Sequence, residues 1–210
     1  MRNPILLFAL LIFCSMNIKA DDFLKERSSG WFSLGTRNTF SVFNDIENET
    51  SGKGIGGQFR IQLNDRLNTE WFADYLTSQI GDYADRKDYH IGWSVMYYPG
   101  KNIYFEKILQ PYILLGHCFD YTEVSIAGQP ENMDHRWSIA TQAGLGTHLN
   151  LTERLDISLS GQYMFHFGKE LNVVESEGVY AVEKEDHMHI GGHLLISLSA
   201  NFKFGRLWNN

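Results

Sequence analysis

The most constraining feature of the sequence is a long alternation of apolar and polar residues near its C-terminus. From Met188 to Phe204 the even-numbered positions are Met, Ile, Gly, Leu, Ile, Leu, Ala, Phe and Phe. The odd-numbered positions from His189 to Lys203 are His, Gly, His, Leu, Ser, Ser, Asn and Lys. Because successive side chains of a β-strand point to opposite faces, one face suits hydrocarbon and the other suits polar groups. An apolar face of this length predicts a tilted strand that spans a membrane within a closed barrel.

Seven earlier segments repeat the alternation, and the sequence between them carries turn-forming and polar residues. The predicted strands are Trp31–Phe43, Ile55–Leu63, Leu67–Thr77, Tyr89–Pro99, Leu109–Tyr121, Trp137–Leu149, Leu155–Leu171 and Met188–Phe204. No helical periodicity persists along the chain. The predicted fold class is therefore all-β: an eight-stranded antiparallel up-and-down transmembrane β-barrel, formed by one domain over residues 21–210.

The connections between these strands predict how the barrel is oriented. Tight turns are expected at Asn64–Arg66 and Asn150–Glu153. Longer polar, acidic loops are expected at Asp45–Gly54, Gly81–Lys87, Ala127–Arg136 and Val173–Asp186. Short turns on one side and long loops on the other are typical of outer-membrane barrels with both termini in the periplasm. The long loops are then the surface available to an extracellular partner, which the sequence does not identify.

The N-terminal residues 1–20 have the features of a secretory signal peptide. Arg2 supplies the positive charge, Ile5–Cys14 the apolar region, and Ala20 a plausible cleavage position before Asp21. Acylation of Cys14 is the alternative, although large residues precede it. After cleavage Cys118 is the single cysteine, so an intrachain disulfide is not expected.

The charge of the mature chain argues against nucleic acid as a partner. Removing Arg2 and Lys19 from the 18 basic residues leaves 16 against 25 acidic residues, which gives a net charge of −9. Nucleic-acid-binding domains carry a basic patch instead.

Charged residues on the polar faces are expected to fill the barrel interior. A three-residue turn centred on Asp65 pairs residues whose numbers sum to 130, which places Arg60 opposite Glu70. A turn centred on Thr152 gives a sum of 304, which places His148 opposite Asp156 and Gln142 opposite Gln162. An eight-stranded barrel has room for side chains but not for an aqueous channel, and unpaired interior charges are costly. The predicted paired polar network consists of Arg37, Arg60, Glu70, Asp74, His148 and Asp156.

Histidines gather near the predicted hairpin of the last two strands. The sequence predicts no cofactor and no bound metal, but five residues are candidates for a zinc or copper site: His166, Glu170, His187, His189 and His193. Titration of these histidines between pH 5 and 8 is an alternative role. Simple hydrogen bonding among polar lumen residues is the plainest interpretation.

Two other functional classes are weighed against a passive membrane barrel. A lipid-modifying enzyme needs an activated serine beside a base. Ser158, Ser160, Ser197 and Ser199 are instead expected to point inward, so no catalysis is predicted. The glycine pattern at Gly52–Gly57 lacks the strand-to-helix context of a nucleotide site. A soluble ligand-binding barrel is disfavoured by outward aromatic residues that are typical of membrane-interface girdles: Trp71, Trp93, Tyr97, Trp137 and Tyr163.

Three stretches resemble small outer-membrane barrels related to the transmembrane domain of outer membrane protein A. They are Ala143–Ser158 (strand, short turn, strand), Pro111–Gly116 (opening of the fifth strand) and Leu194–Trp208 (closing strand). The resemblance implies a location in the outer membrane of a Gram-negative bacterium, with contact to its lipid. It also implies insertion by the barrel assembly machinery, which reads a terminal strand ending in aromatic residues. Phe202, Phe204 and Trp208 fit that signal, although Asn209 and Asn210 follow it.

The expected function is that of a monomeric integral outer-membrane protein with a structural or surface-interaction role. The alternative is a narrow channel for small solutes, which mobile interior charges would favour. A lipid-modifying enzyme is a further alternative.

Overall fold

The computed structural model describes residues 29–43, 51–100 and 107–208, apart from the side chains of Phe43 and His189. These residues form a closed barrel in which each strand pairs with the next and the first pairs with the last, all antiparallel. The strands are β1 (Trp31–Phe43), β2 (Gly52–Gln62), β3 (Leu67–Ile80), β4 (Ala84–Tyr97), β5 (Leu109–Ile126), β6 (Gln129–Asn150), β7 (Leu155–Ser176) and β8 (Val179–Arg206). The predicted eight-stranded fold is confirmed. In the described part of the chain, no helix has the length and apolar character needed to cross a bilayer. The predicted signal peptide lies outside the described residues.

The alternating apolar and polar residues of the sequence point alternately to the outside and the lumen of the barrel. Along β3, the even-numbered residues from Asn68 to Ile80 are buried in the lumen. The odd-numbered Trp71 and Tyr75 are exposed on the outside. On β8 the inward residues run from His193 to Lys203 and the outward ones from Leu194 to Phe204, as the sequence predicts. The predicted period of two therefore fixes the face of every residue in the central part of the barrel.

The barrel has two different ends. One end, called here the turn end, contains the β2–β3 and β6–β7 turns. The first residue of β1, Trp31, and the last residue of β8, Arg206, also lie there. At the other end, called the hairpin end, β3–β4, β5–β6 and β7–β8 continue well beyond the apolar wall as paired ribbons. Three of the predicted long loops are therefore wrong in part, because most of their residues are strand. The actual turns are Gly81–Tyr83, Ala127–Gly128 and Glu177–Gly178. The stretch 44–50 of the fourth predicted loop lies outside the described residues.

Local chemistry explains these tight hairpins. Gly81, Gly128 and Gly178 have φ values of 57°, 78° and 79°, a region that glycine enters without steric cost. Glu177 also has a positive φ of 52°. Beyond the border row the outward residues are polar and several inward ones are apolar, so the apolar-outward pattern of the wall ends although backbone pairing continues. This is why the sequence pattern ended the strands too early.

A bulge redirects side chains where the β7–β8 ribbon leaves the barrel. Lys169 pairs with Met188 and Leu171 pairs with Lys184, so three residues of β8, Glu185 to His187, oppose Glu170 alone. A bulge of this kind exchanges the inward and outward faces of a strand. Leu171 of β7, on the hairpin side of the bulge, is consequently buried. His187 of β8, within the bulge, is exposed.

The register prediction is correct for one turn and wrong for the other. Arg60 lies opposite Glu70, which confirms the sum of 130. Around the β6–β7 turn the sum is 306, not 304: His148 faces Ser158, and Asp156 faces Asn150. The turn is a three-residue turn like that at Asn64–Arg66, but it is centred on Glu153, one residue later than predicted. The N–H of Leu151 donates to the Leu155 carbonyl at 3.0 Å, and the Thr152 hydroxyl accepts from the N–H groups of Arg154 and Leu155 at 3.2 and 3.0 Å. A shift of two residues preserves each side chain's face.

The outer wall changes abruptly from apolar to polar near the hairpin end. Tyr75, Tyr89, Tyr121 and Trp137 are paired across β3 to β6, and neighbouring rings are 4.9 to 5.9 Å apart. The next row towards the hairpin end is polar: Thr77, Lys87, Glu123 and His135. Aromatic residues bordering an apolar band are typical of the membrane interface. Trp137 lies in this border row as predicted, whereas Trp71 and Trp93 face each other within the apolar band.

The C-terminal residues close the turn end. β8 ends at Arg206, and the backbone N–H of Leu207 donates a hydrogen bond to the Gly30 carbonyl at 2.8 Å. A Cβ atom on Gly30 would lie 2.7 Å from the Trp208 carbonyl oxygen, so the backbones meet too closely for a side chain there. Phe202 and Phe204 point outward on β8, but Trp208 lies beyond its end. Trp208 is therefore not part of their outward row on the strand.

Candidate functional site

The lumen is the candidate functional site, because its described half towards the turn end holds a network of paired charges. Arg60 on β2 is the centre of this network. Its Nε donates to Glu70 at 2.7 Å, and its two terminal nitrogens donate to Asp156 at 3.1 Å and to Ser158 at 3.2 Å. All four side chains are buried. Charge-assisted hydrogen bonds of this length are the strong ones in proteins.

Arg37 on β1 extends the network to β3. Its guanidinium is 3.3 Å from Glu70 and 3.1 Å from Asp74. It also lies 4.4 Å above the centre of the Phe72 ring, a distance at which a cation is attracted to an aromatic face. Glu70 thus bridges Arg37 and Arg60.

Lys203 completes the charge balance of this network. Its ammonium group is 3.3 Å from Asp156. The cations Arg37, Arg60 and Lys203 therefore match the carboxylates Glu70, Asp74 and Asp156 in number. These six residues and His148 are called the turn-end network below.

His148 joins the turn-end network through hydroxyl groups. One ring nitrogen contacts the Tyr98 hydroxyl at 2.9 Å, and the other contacts the Ser158 hydroxyl. Asp156 is 3.9 Å from the ring, and the Tyr112 ring packs on it at 4.5 Å. The structure thus brings together all six residues of the predicted network, although His148 reaches Asp156 diagonally and not as a directly opposed pair.

Amide and hydroxyl side chains occupy the lumen around these charges. Gln58 donates to Asn201 at 2.6 Å, and Gln142 donates to Ser94 at 2.7 Å. Gln162 donates to Gln142 at 3.3 Å despite the corrected register, because diagonal neighbours remain within reach of long side chains. These amides and hydroxyls satisfy one another, whereas the Asp74 oxygens and Asn68 Oδ1 make no hydrogen bond within the described residues.

An apolar layer lies between the turn-end network and the hairpin end, although it is incomplete at β3 and β4, where Asp74 of the network lies directly opposite His90. It contains Phe72, Leu76, Cys118, Ala140, Met164 and Leu195, all buried. On β5 to β8, the next inward residue towards the hairpin end is polar in each case: Asp120, Ser138, His166 and His193. A second polar group is thus enclosed beyond this layer.

This second group is called the hairpin-end cluster and consists of Arg86, Asp88, His90, Asp120, His166 and His193, all buried. The Asp120 carboxylate lies between two imidazoles, 3.2 Å from His90 Nε2 and 3.1 Å from His166 Nδ1. The His193 ring stacks on both imidazoles, with ring centres 5.7 and 4.7 Å away. The three histidines come from β4, β7 and β8, which are distant in sequence.

Arg86 and Asp88 form an ion pair beside the histidines. The Arg86 guanidinium donates to both Asp88 oxygens at 3.0 to 3.1 Å, and the Thr122 hydroxyl donates to Asp88 at 2.7 Å. Ser138 donates to Asp120 at 3.0 Å. The aspartates are held by these contacts in fixed positions next to His90.

The extended hairpins cover the hairpin-end cluster with a second apolar layer. Its buried residues are Ile80, Ala84, Val124, Ile126 and Leu171, and Tyr83, Val173, Tyr180 and Val182 pack against them. The rings of Tyr83 and Tyr180 stack at 4.5 Å, and Asn132 donates to the Tyr180 carbonyl at 2.9 Å. Contacts between different hairpins therefore hold this cover together.

The predicted metal candidates are only partly brought together. His166 and His193 belong to the hairpin-end cluster. Glu170 is buried on β7, four residues beyond His166 towards the hairpin end. His187 is exposed because it lies in the β7–β8 bulge, so it does not join the cluster as expected. His189 is paired with Gly168, but its side chain lies outside the description.

His90 and Asp120 were not among the sequence candidates. They are directly opposed on β4 and β5, with residue numbers that sum to 210. Both lie on the inward faces predicted from the alternation. The sequence does not give the register of β4 against β5. Their connection is too long for its centre to fix the pairing, as the two short turns do for their strands.

Comparisons with known proteins agree with this architecture. No family model and no curated protein matches the sequence. Among solved structures, the chain resembles Neisserial surface protein A, with 16% identity, 84% of this chain and 98% of that chain covered, and a TM-score of 0.56. It also resembles the outer membrane protein OprG from Pseudomonas aeruginosa, with 17% identity, coverage of 86% and 99%, and a TM-score of 0.56. The chain has the fold of a small outer-membrane barrel. A major outer membrane protein from Thermus thermophilus is similar too, at 10% identity, coverage of 82% and 99%, and a TM-score of 0.51.

Proposed function

We propose that the protein is an integral outer-membrane barrel that is closed to solutes and has a structural or surface-interaction role. The location is supported by the fold and by the apolar outer wall, which includes Leu34, Ile91, Leu115, Leu145, Leu159 and Leu198, all exposed. In water such a wall would be an extensive exposed apolar surface, whereas lipid covers it at no cost. The span of β4 from Tyr89 to Tyr97 contains nine residues, which fits a tilted membrane strand.

The turn-end network is the observation that best supports a closed lumen. Each of its arginines contacts two carboxylates, and the charges balance. The cavity beside Arg60, His148 and Asp156 has a volume of about 20 Å³, which is space for about one water molecule. Moving these charges aside to admit a solute would separate buried ion pairs, so a narrow channel is the less favoured function.

The same burial argues against catalysis. Ser158, His148 and Asp156 are in contact, which resembles part of a hydrolase triad. However, Ser158 also accepts from Arg60, and the small cavity admits no lipid. We propose that this contact is structural and that the protein is not an enzyme.

The surface offered to a partner is acidic. Exposed carboxylates on the extended hairpins include Glu131, Glu175, Glu177, Glu183 and Asp186. Because the hairpins are paired strands that pack on one another, they present these charges on a firm scaffold. A partner with a complementary positive surface is therefore proposed for the extracellular side.

We further propose a monomer that is inserted by the barrel assembly machinery. The barrel closes through β1 and β8, so the apolar wall leaves no strand edge for pairing with a second chain within the membrane. Phe202 and Phe204 on the outward face of β8 remain the proposed aromatic part of the insertion signal, together with Trp208 just beyond the strand.

Conductance of planar lipid bilayers tests the closed lumen. The full chain without its predicted signal peptide is refolded in detergent, and insertion is verified by heat-dependent gel mobility and protease protection. We expect no discrete conductance steps from the inserted protein. Stable, reproducible open steps would contradict the proposal and favour the channel.

A further inference from the structure

The hairpin-end cluster has an unbalanced negative charge. Asp88 is paired with Arg86, but the groups that approach Asp120 within ion-pair distance in the described part of the chain are the imidazoles of His90 and His166. Asp120 is fully buried. A buried carboxylate is costly unless a positive charge compensates it. Unlike the turn-end network, this cluster therefore requires either an added cation or a protonated histidine.

The atoms around Asp120 have the spacing of metal ligands. The distances from its carboxylate oxygens to His90 Nε2 and His166 Nδ1 are 3.2 and 3.1 Å. Two ligands of a tetrahedral zinc ion, each about 2.0 to 2.1 Å from the metal, are separated by about 3.3 Å. Single ligand atoms from Asp88, His90 and Asp120 lie within 4.8 Å of one another. His166 adjoins this group through its contact with Asp120.

A second observation concerns the hydrogen bonds of His90. Its ring is fully buried, and neither ring nitrogen makes a hydrogen bond within the described residues. Asp120 Oδ1 and His166 Nε2 also make none there. Because buried polar atoms are nearly always satisfied, such atoms gathered at one point indicate a site for a ligand that satisfies them.

We propose that the hairpin-end cluster binds one divalent transition-metal ion of the zinc type, with Asp88, His90 and Asp120 as ligands and His166, 3.1 Å from Asp120, as the candidate fourth. Imidazole nitrogen and carboxylate oxygen are the ligands that zinc accepts in proteins. The ion compensates Asp120, while Arg86 and Asp88 remain an ion pair of little net charge. Arg86 and Thr122 orient Asp88, and Ser138 orients Asp120, as supporting groups do around metal ligands.

The proposed ion ties the neighbouring strands β4 and β5 to β7, which is a neighbour of neither. His90 lies on β4, Asp120 on β5 and His166 on β7. The metal would therefore brace the barrel across its lumen beneath the extended hairpins. A groove of about 560 Å³ opens between β2 and the β3–β4 hairpin, and Arg86 lies on its wall. Arg86 is the member of the hairpin-end cluster that lines this groove.

Metal content of the refolded full-length mature chain tests the proposal. The protein is refolded in detergent with Zn²⁺, separated from free metal by gel filtration, and analysed for zinc per folded chain. We expect about one zinc ion in the wild type and less than a tenth of that in a His90→Asn, His166→Asn variant. His148→Asn, in the turn-end network, and His135→Ala, on the surface, are matched histidine controls that should retain the zinc.

A cobalt spectrum keeps the test decisive if the double variant fails to fold. Wild-type barrel loaded with Co²⁺ should show the intense visible absorption of a four-coordinate site, whereas six-coordinate cobalt in water absorbs weakly. A folded wild type that retains no zinc and gives only the weak spectrum overturns the proposal, and a protonated histidine then balances Asp120. Equal zinc in the double variant and the wild type overturns it as well.

Discussion

Replacement of Arg60 by leucine should lower the free energy of unfolding of the barrel by about 3 kcal/mol. The substitution removes the cation that joins Glu70 and Asp156, and breaking a buried ion pair from one side costs about 3–5 kcal/mol. The low end of this range is expected because Arg37 still reaches Glu70 and Lys203 still reaches Asp156. Urea unfolding in detergent or lipid, followed by tryptophan fluorescence, measures the change.

The matched control is Lys87→Leu on the outer surface. Lys87 pairs with Glu123 at 2.8 Å, and their side chains are 39% and 21% exposed. An exposed pair contributes about 0–1 kcal/mol. If Arg60→Leu were no more costly than Lys87→Leu, the turn-end network would not hold the lumen closed as described.

Replacement of Ile91 by arginine should destabilise the barrel in a lipid bilayer by about 1–2 kcal/mol. Arginine on a lipid-facing strand costs about 2–4 kcal/mol at the membrane midplane and about 0–1 kcal/mol near the interfaces, and Ile91 lies one outward position from the border residue Tyr89. Ile91 points outward on β4, between Ala73 and Phe119 of the neighbouring strands, and is 64% exposed. No lumen contact is changed, so the penalty arises from lipid alone. Unfolding by urea in phospholipid vesicles measures it.

Gln79→Arg is the control for this second prediction. Gln79 is also exposed, but it lies on β3 beyond the aromatic border row, next to Asp85. A surface substitution there should change the stability by less than about 0.5 kcal/mol. A neutral or stabilising Ile91→Arg would show that water, and not lipid, surrounds the apolar wall, as in a soluble barrel.

The strand pattern could be predicted because one physical rule governs the central wall. Between lipid and a polar lumen, each residue of a strand must suit one face or the other, so Leu194 to Phe204 show their orientation by composition alone. The Arg60–Glu70 pairing was also accessible, since a short turn fixes the register of the strands that it joins. These local rules account for the fold and for the residues of the turn-end network.

The rest depends on geometry that the pattern does not contain. The Thr152 hydroxyl caps a turn centred on Glu153 instead of Thr152, which moves His148 from Asp156 to Ser158. The hairpins extend beyond the membrane, where no lipid requires the outward residues to be apolar. The hairpin-end cluster joins His90 to residues on β5, β7 and β8, and only the closed ring of registers places them together.

Surface labelling of two variants, each carrying one added cysteine, tests the membrane-spanning barrel most directly. Glu175→Cys lies on the hairpin end and Glu153→Cys at the turn end, and both positions are exposed. The native Cys118 is fully buried, so it should remain unlabelled. In intact Gram-negative cells, a membrane-impermeant maleimide should label Glu175→Cys alone, and Glu153→Cys should react only after the outer membrane is permeabilised. Equal labelling of both variants in intact cells, or recovery of the protein in the soluble fraction, would contradict the account.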